Sequence, residues 1–255
     1  MTRANYGSRQ KGSSKFVVVA PHAAGDDTRT KEIAEAVARH LNASLVVNEK
    51  YIKPSNSRAS TSSTVEDFNK LSWSRSHERY LWNRKHPHMK EFYDHIAEYA
   101  KHAREQGDGR AIVVYIHGMK DGDDGVGIDI GFGAKYHEER LKGTRGRRDK
   151  HPDCGTNSGV VRANREDMEK LKTTLEDRLS TDHGLSAGIA EATRYDSSGR
   201  KIEFAAWSKQ NGVQYHNGPT EHSFQLEISS LLRRPGNVAK TARMIADALK
   251  EVYRP

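Results

Sequence analysis

Two histidines and two acidic residues fall where buried strands are predicted to end. His22 follows the apolar run Phe16–Ala20 in "FVVVAPHAAGDD", and Asp27 closes the small-residue turn after it. His117 ends "AIVVYIH", and Glu227 lies near the end of "FQLEIS". In open α/β sheets, ligands bind outside the carboxyl ends of the strands, because the loops converge there. We therefore expect these four side chains to meet.

The four side chains match a catalytic zinc site. Two imidazoles and one carboxylate, with a fourth position left open, are the ligand set of a catalytic zinc ion. His22, Asp27 and His117 would hold the ion, which polarises a carbonyl and activates water. Glu227 can take a proton from that water and pass it to a leaving amine. The predicted chemistry is metal-assisted amide hydrolysis.

Each of these residues also has a structural alternative. The chain has 13 histidines, so some end strands by chance, and His117 can simply bond a backbone carbonyl. Glu227 is more informative, because a carboxylate in an apolar strand needs a partner. That partner is either a metal ion or, as the alternative, Arg233 or Arg234 in a salt bridge. A second metal-like cluster, "HPH" at 86–88, lies in a polar, helix-breaking stretch. Asp129 has two possible roles: it either orients a ligating histidine or forms a hydrogen bond with its own glycine turn.

The elements that must position these residues are those of an α/β protein. The stretches "KFVVVAP" and "ASLVVNE" predict strands on either side of the amphipathic helix "TRTKEIAEAVARHL", a unit typical of parallel sheets. Further strands are predicted for "GRAIVVYIHG", "GVGIDIGFG", "KIEFAAWS" and "HSFQLEIS". A helical region is predicted over 78–106, broken near Pro87, and two more helices for "NREDMEKLKTTLEDRL" and "NVAKTARMIADALKEVY". The polar, basic residues 1–14 predict a flexible tail, which leaves a single α/β hydrolytic domain over 15–255.

Composition bounds the class of protein. With 255 residues, of which 35% are hydrophobic, the chain can bury a sizeable core. It has no apolar stretch of membrane-spanning length and no secretory leader, so a soluble, cytoplasmic protein is predicted. The single cysteine, Cys154, fits a reducing compartment and excludes a cysteine-rich metal site.

The charge of the chain favours anionic partners. The net charge is +8, and basic residues concentrate over Arg140–His151. The first interpretation of this run is a solvated loop. The second is a rim of the site, whose Arg145, Arg147 and Arg148 attract acidic substrates. A basic nucleic-acid-binding or phosphate-binding protein is the alternative function, although no recognition helix or RNA-binding signature is found.

Five stretches resemble one known family in their order and separations. They are "VVVAPHAAGDD", "VEDFNKL", "VVYIHG", "GIDIGFG" and "FQLEIS". The sequence resembles the N-formylglutamate amidohydrolase family and the related phage-type poly-γ-glutamate hydrolases. The resemblance implies a three-layer α/β/α sandwich of the zinc exopeptidase type, with a mixed, mostly parallel central sheet. It also implies one zinc ion per chain and a small acidic amide or poly-γ-glutamate as substrate.

The resemblance also implies roles for individual residues. Carried over position by position, the metal ligands fall on His22, Asp27 and His117, and the general base on Glu227. In "DFNK", Asn69 and Lys70 stand where the family holds the substrate carboxylate.

Two departures from the family pattern affect the predicted site. Lys70 replaces an arginine, which predicts looser carboxylate recognition, since a point charge replaces a two-pronged donor. Asp27 stands where some relatives have glutamate, and Asp26 is a rival ligand. The sequence does not identify the amide cleaved, the metal used or the number of subunits. An inactive, family-like binding protein is a further alternative function.

Overall fold

The computed structural model describes residues 1–25, 27–53, 64–82, 86–120, 125–133, 160–190 and 210–254, and the backbone of 194–195 and 201–202. Its helices are α1 (Thr30–Leu41), α2 (Pro87–Glu105), α3 (Arg165–His183), α4 (Val238–Val252) and a 3-10 helix (Gly212–Tyr215). Its strands are β1 (Thr2–Ala4), β2 (Gly7–Gln10), β3 (Phe16–Ala20), β4 (Ser44–Asn48), β5 (Ser72–Ser74), β6 (Arg79–Leu81), β7 (Ala111–Gly118), β8 (Val126–Gly131), β9 (Ser186–Ile189), β10 (Arg194–Tyr195), β11 (Lys201–Ile202) and β12 (Glu221–Ile228).

One mixed sheet organises these elements. Within the described ranges it has eight strands in the order β1-β2-β4-β3-β7-β12-β8-β9. The four central strands β4, β3, β7 and β12 run parallel to one another. Strand β8 pairs antiparallel with β12, and β2 pairs antiparallel with β4. The parallel centre means that β3, β7 and β12 all end at the same edge of the sheet.

Helices cover both faces of this sheet. Along β3, Val18 and Ala20 pack with the buried apolar side chains of α1, α3 and α4, whereas Val17 and Val19 pack with those of α2. The alternation follows from the two-residue period of a strand, and burial on both sides explains why β3 and β7 are continuously apolar. The result is the predicted three-layer arrangement. None of the helices that the structure describes is long and apolar enough to cross a membrane.

The predicted helical region over 78–106 is shorter in the structure. Helix α2 begins at Pro87, because proline fits the first turn of a helix but lacks the N–H that an interior position needs. His86 caps this helix, since its Nδ1 accepts a hydrogen bond of 3.3 Å from the backbone N–H of Met89. Residues 79–81 form strand β6 instead. Of the predicted strand "KIEFAAWS", only residues 201–202 lie within the described ranges.

The prediction of a flexible tail over residues 1–14 is wrong. Strands β1 and β2 form an antiparallel pair, and β2 joins the sheet through β4. Tyr6, in the turn between them, is fully buried. Its ring packs edge-on against Phe92 at 5.1 Å, and its hydroxyl lies 2.8 Å from Nδ1 of His95. One anchored aromatic residue therefore orders a segment whose composition is otherwise polar.

Substitution of Tyr6 tests whether this segment is part of the folded core. We expect Tyr6→Ala to lower the free energy of unfolding by about 3–5 kcal/mol, because it removes a buried aromatic ring and leaves a cavity. Arg3→Ala, at an exposed position of the same hairpin, should change it by less than about 0.5 kcal/mol. Urea denaturation measures both values. Equal stability of the two variants would contradict the assignment.

Candidate functional site

The predicted ligands meet at the carboxyl edge of the sheet. His117 lies near the end of β7, and His22 follows the end of the neighbouring strand β3 by two residues. The turn after His22 folds back, so that the backbone N–H of Asp27 donates to the carbonyl of His22 at 3.2 Å. All three side chains are buried, with at most 5% of their residue surface exposed. Adjacent parallel strands thus bring residues 95 positions apart in the sequence to one point.

The spacing of these side chains fits a metal ion. The Oδ2 atom of Asp27 lies 3.3 Å from Nδ1 of His22 and 3.4 Å from Nδ1 of His117. Two ligands of a tetrahedral zinc ion, each at about 2.0–2.1 Å, are about 3.3 Å apart. One ligand atom from each of the three residues can be chosen so that all lie within 4.8 Å of one another. The donor set could therefore hold a divalent cation.

Unsatisfied nitrogen atoms in this group support the same assignment. Nδ1 of His22 and Nε2 of His117 are buried and have no hydrogen-bond partner among the described residues. An unpaired polar atom in a protein interior is costly, and a metal bond would remove that cost for Nδ1 of His22, which lies 3.3 Å from Oδ2 of Asp27. No other group of three such side chains in the described ranges has metal-like spacing. In particular, His86 of the "HPH" cluster serves as a helix cap.

Asp67 orients His22. Its Oδ1 lies 2.9 Å from Nε2 of His22, so the ring donates from Nε2 and its Nδ1 lies toward Oδ2 of Asp27, where it could bind a metal ion. The carboxylate is itself fixed by the backbone N–H of Asn69, at 2.9 Å. Asp67 was not among the predicted site residues, and Asp129 was the residue predicted as a candidate for this role. The signal was present, since Asp67 opens the "DFNK" stretch.

The charges of the buried ligands depend on one another. Burial alone would raise the pKa of Asp27, but the imidazoles of His117 and His22 hold it well below the ordinary value. Burial alone would lower the pKa of His22, but Asp27 and Asp67 outweigh burial and raise this pKa to about 9. The pKa of His117 is lowered, chiefly by burial. The two histidines thus differ, since the pKa of His22 is raised and the pKa of His117 is lowered.

Glu227 lies beside the ligand group on the next strand. In the register of β12 it stands opposite His117 of β7 and Asp129 of β8. Gln225 donates a 2.8 Å hydrogen bond from Nε2 to Oε1 of Glu227, and Asn211 donates to Gln225 in turn, at 3.1 Å. Burial, and after it the negative charge of Asp27, raises the pKa of Glu227 to about 8. A cation on Asp27 would oppose the second of these effects and favour the ionised form.

Arg233 ties together the segments that carry the site. Its buried guanidinium donates to the carbonyl oxygens of Thr28, Met119 and Ile228, the last two at 2.8 and 3.0 Å. These carbonyls follow Asp27, His117 and Glu227 within two residues along the chain. A Cβ on Gly118 would lie 2.6 Å from Cζ of this arginine, so the close approach requires glycine. Arg233, the alternative ion-pair partner of Glu227, is therefore occupied in holding three loops.

A cavity of about 550 Å³ opens over these residues. All six predicted site residues line it, namely His22, Asp27, Asn69, Lys70, His117 and Glu227. The amide Oδ1 of Asn69 accepts from the backbone N–H of Gly212 at 3.2 Å. Lys53 and Lys120 add positive charge to the lining, and Nζ of Lys53 lies 3.4 Å from Oδ1 of Asp27. The arrangement combines three side chains with metal-like spacing, a buried carboxyl group and three lysines in the lining.

Several predicted features lie outside the described residues. They are the rival ligand Asp26, Cys154 and the basic run with Arg145, Arg147 and Arg148.

Comparison with solved structures finds proteins to which this chain is similar in structure. A gene product of Agrobacterium tumefaciens matches with a TM-score of 0.51 at 15% identity, over 94% of this chain and 91% of that chain. A bacteriophage poly-gamma-glutamate hydrolase matches with a TM-score of 0.46 at 18% identity, over 96% and 86%. An N-formylglutamate amidohydrolase from Ralstonia eutropha matches with a TM-score of 0.47 at 12% identity, over 95% and 94%. No protein-family model and no curated protein matches the sequence.

Metal binding tests the ligand group. We expect about one zinc ion per chain by elemental analysis after dialysis against dilute zinc, and less than a tenth of that in His22→Ala or Asp27→Ala, since each loses one of three ligands. His88→Ala, at a histidine that does not line the cavity, is the matched control. Full zinc content in the His22 and Asp27 variants would contradict the assignment.

Substitution of Arg233 tests its role in holding the loops. Arg233→Met should lower the free energy of unfolding by about 2–4 kcal/mol, because three carbonyl groups lose a charged donor. We also expect zinc affinity to fall by about tenfold or more, as the loops lose their common register. Arg234→Met, at the exposed neighbouring position, should change neither value. Unaltered zinc affinity in a less stable Arg233→Met protein would show that the arginine serves stability alone.

Proposed function

We propose that this chain is a zinc-dependent amidohydrolase that cleaves an N-acyl amino acid or γ-glutamyl-type amide bearing a free carboxylate. The observation that carries the proposal is the spacing of His22 and His117 about Asp27, 3.3 and 3.4 Å, beside the buried carboxyl group of Glu227. The resemblance of the five sequence stretches to N-formylglutamate amidohydrolases supports the same type of reaction.

His22, Asp27 and His117 would hold the ion, and Asp67 would keep His22 in the tautomer that presents Nδ1. When bound, zinc lowers the pKa of water and polarises a carbonyl oxygen. Asp27 is well suited to a ligand role, because its low pKa leaves it ionised throughout the physiological range. Its second oxygen, Oδ1, faces Lys53.

Glu227 would act as the general base and then as the general acid. Its carboxylate accepts a proton from the attacking water and returns it to the departing nitrogen. The hydrogen bond from Gln225 fixes one oxygen, Oε1, which leaves Oε2 to exchange the proton. A pKa raised toward neutrality by burial suits both halves of this transfer, since the group must accept and release a proton at similar pH.

Asn69 and Lys70 would bind the free carboxylate of the substrate. Both line the cavity, and Lys70 is exposed at its mouth. The backbone of this segment is held against the one that leads into the 3-10 helix, where Lys70 and Asn211 form a β-bridge. Because an ammonium group does not impose the planar geometry of a guanidinium, we expect tolerance among acidic substrates of different shape.

Turnover by a Glu227→Gln variant tests the mechanism. We expect kcat for hydrolysis of N-formyl-L-glutamate or a γ-glutamyl amide to fall by about 100-fold or more, because the amide cannot exchange the proton. Zinc content should stay near that of the wild type. Glu98→Gln, at an acidic residue of α2 outside the cavity, should leave kcat unchanged.

Chelation provides the second arm of this experiment. Removal of zinc by a chelator should abolish turnover, and added zinc should restore it. Full activity in the chelated protein or in Glu227→Gln would overturn the mechanism. Zinc binding without hydrolysis of any acidic amide would instead indicate a protein that has kept the site as a binding module.

A further inference from the structure

Two side-chain amides, those of Asn211 and Gln225, form a chain that ends on Glu227. Asn211 donates from Nδ2 to Oε1 of Gln225 at 3.1 Å, and Gln225 donates from Nε2 to Oε1 of Glu227 at 2.8 Å. All three residues are buried, with at most 8% of their surface exposed, and all three line the cavity. Gln225 and Glu227 stand two positions apart on β12, so their side chains leave the same face of the strand.

A backbone group sets the direction of this amide chain. Oδ1 of Asn211 accepts a hydrogen bond from the backbone N–H of Val213 at 2.9 Å. Because a backbone N–H can only donate, this contact identifies the oxygen of the Asn211 amide and turns its NH2 group toward Gln225. Gln225 must then present its oxygen to Asn211 and its NH2 group to Glu227. Oε1 of Glu227 is thus held as an acceptor, and a proton on this carboxyl group belongs on Oε2.

The backbone of Asn211 is held independently of its side chain. Asn211 forms a β-bridge with Lys70, and the backbone N–H of Gly212 donates to the carbonyl of Asn69 at 3.0 Å. A Cβ on Gly212 would lie 2.6 Å from Oδ1 of Asn69, so the two segments are closely packed. These contacts hold the residues that would bind the substrate carboxylate, and they do not use the Asn211 amide. A change confined to that amide should therefore reach Glu227 and leave Asn69 and Lys70 in place.

We propose that Asn211 is a positioning residue for the general base. Its amide, oriented by Val213, makes Gln225 donate to one oxygen of Glu227. The other oxygen alone then exchanges the proton with water and with the leaving nitrogen. The inference rests on the proposed function, and it assigns the orientation of Glu227 to a residue that acts through Gln225.

The structural role of Asn211 can be separated from this positioning role. Asn211 caps the 3-10 helix through the same bond from Val213. Aspartate and serine are also good capping residues, because their side-chain oxygens accept a backbone N–H. Neither replaces the Nδ2 donor, since aspartate carries an oxygen at that position and serine is too short to reach Gln225. Asn211→Asp and Asn211→Ser therefore keep the cap and break the amide chain.

The kinetics of these two variants test the inference. We expect kcat for hydrolysis of N-formyl-L-glutamate or a γ-glutamyl amide to fall by about tenfold or more in each, because the transition state loses an oriented hydrogen bond. KM should change by less than about twofold, since the carboxylate-binding segment is held by its backbone. Zinc content should stay near that of the wild type. Wild-type kcat in both variants would overturn the proposal.

Asn164→Asp is the matched control for these substitutions. Asn164 caps α3 by accepting a hydrogen bond of 2.9 Å from the backbone N–H of Glu166, and it does not line the cavity. The same chemical change at this second cap should leave kcat unchanged.

A double substitution tests whether Asn211 acts through Gln225. Gln225→Leu should lower kcat at least as far as Asn211→Ser, because it removes the donor to Glu227 directly. In the Gln225→Leu background, Asn211→Ser should lower kcat no further, since the amide chain is already broken. A second, additive loss would overturn the proposal.

Hydrogen exchange measured by NMR tests the amide chain without turnover. The side-chain amide protons of Gln225, assigned by their absence from the spectrum of Gln225→Leu, should exchange slowly in the wild type, because the group is buried and hydrogen-bonded. We expect exchange about tenfold or more faster in Asn211→Ser, which removes one of these hydrogen bonds. Exchange in Asn164→Asp should match the wild type.

The two proposals can fail separately. Gln225 amide protons that lose protection in Asn211→Ser, in a protein whose wild-type form hydrolyses no amide, would retain the orientation of Glu227 and reject the reaction. Zinc-dependent hydrolysis with unaltered kcat in both Asn211 variants would retain the reaction and reject the positioning role.

Discussion

The candidate site depends on keeping the negative charge of Asp27 inside the protein. An ionised carboxylate away from water is tolerated only when charged and hydrogen-bonding groups surround it. Here two imidazoles lie within 3.4 Å of Oδ2, the backbone N–H of Gly118 donates to the same oxygen at 3.1 Å, and Lys53 faces the other. These groups come from different segments, so the burial of one charge requires the ends of β3 and β7 to be aligned. The same alignment creates the donor set for a cation.

Much of the fold and of the site follows from the sequence, because the sheet obeys simple rules. The continuous apolar runs that became β3 and β7 predict strands buried on both faces, and parallel neighbours necessarily end at one edge. The polar residues at those ends, His22 and His117, were for that reason predictable as neighbours. Glu227 was predictable in the same way, because it is an acidic residue near the end of β12, in a stretch that is buried from His222 to Ile228.

What the sequence did not predict depends on contacts between distant segments. Asp67 contacts His22 from 45 residues further along the chain, so its place in "DFNK" marks it as a candidate without showing which residue it contacts. Glu227 is fixed by Gln225, which in turn accepts a hydrogen bond from Asn211. This chain of amides is visible only in three dimensions. The first ten residues have the composition of a solvated tail, yet Tyr6 finds a pocket against α2 that is absent from any local window of sequence.

The link through Arg233 has a consequence for how this site can change over evolution or in the laboratory. Because the side chain of Arg233 holds three loops together, the loops cannot vary independently. An insertion or a substitution in any one of them shifts the arginine that the other two also bind. Libraries that randomise one loop at a time should mostly yield proteins with a disturbed centre.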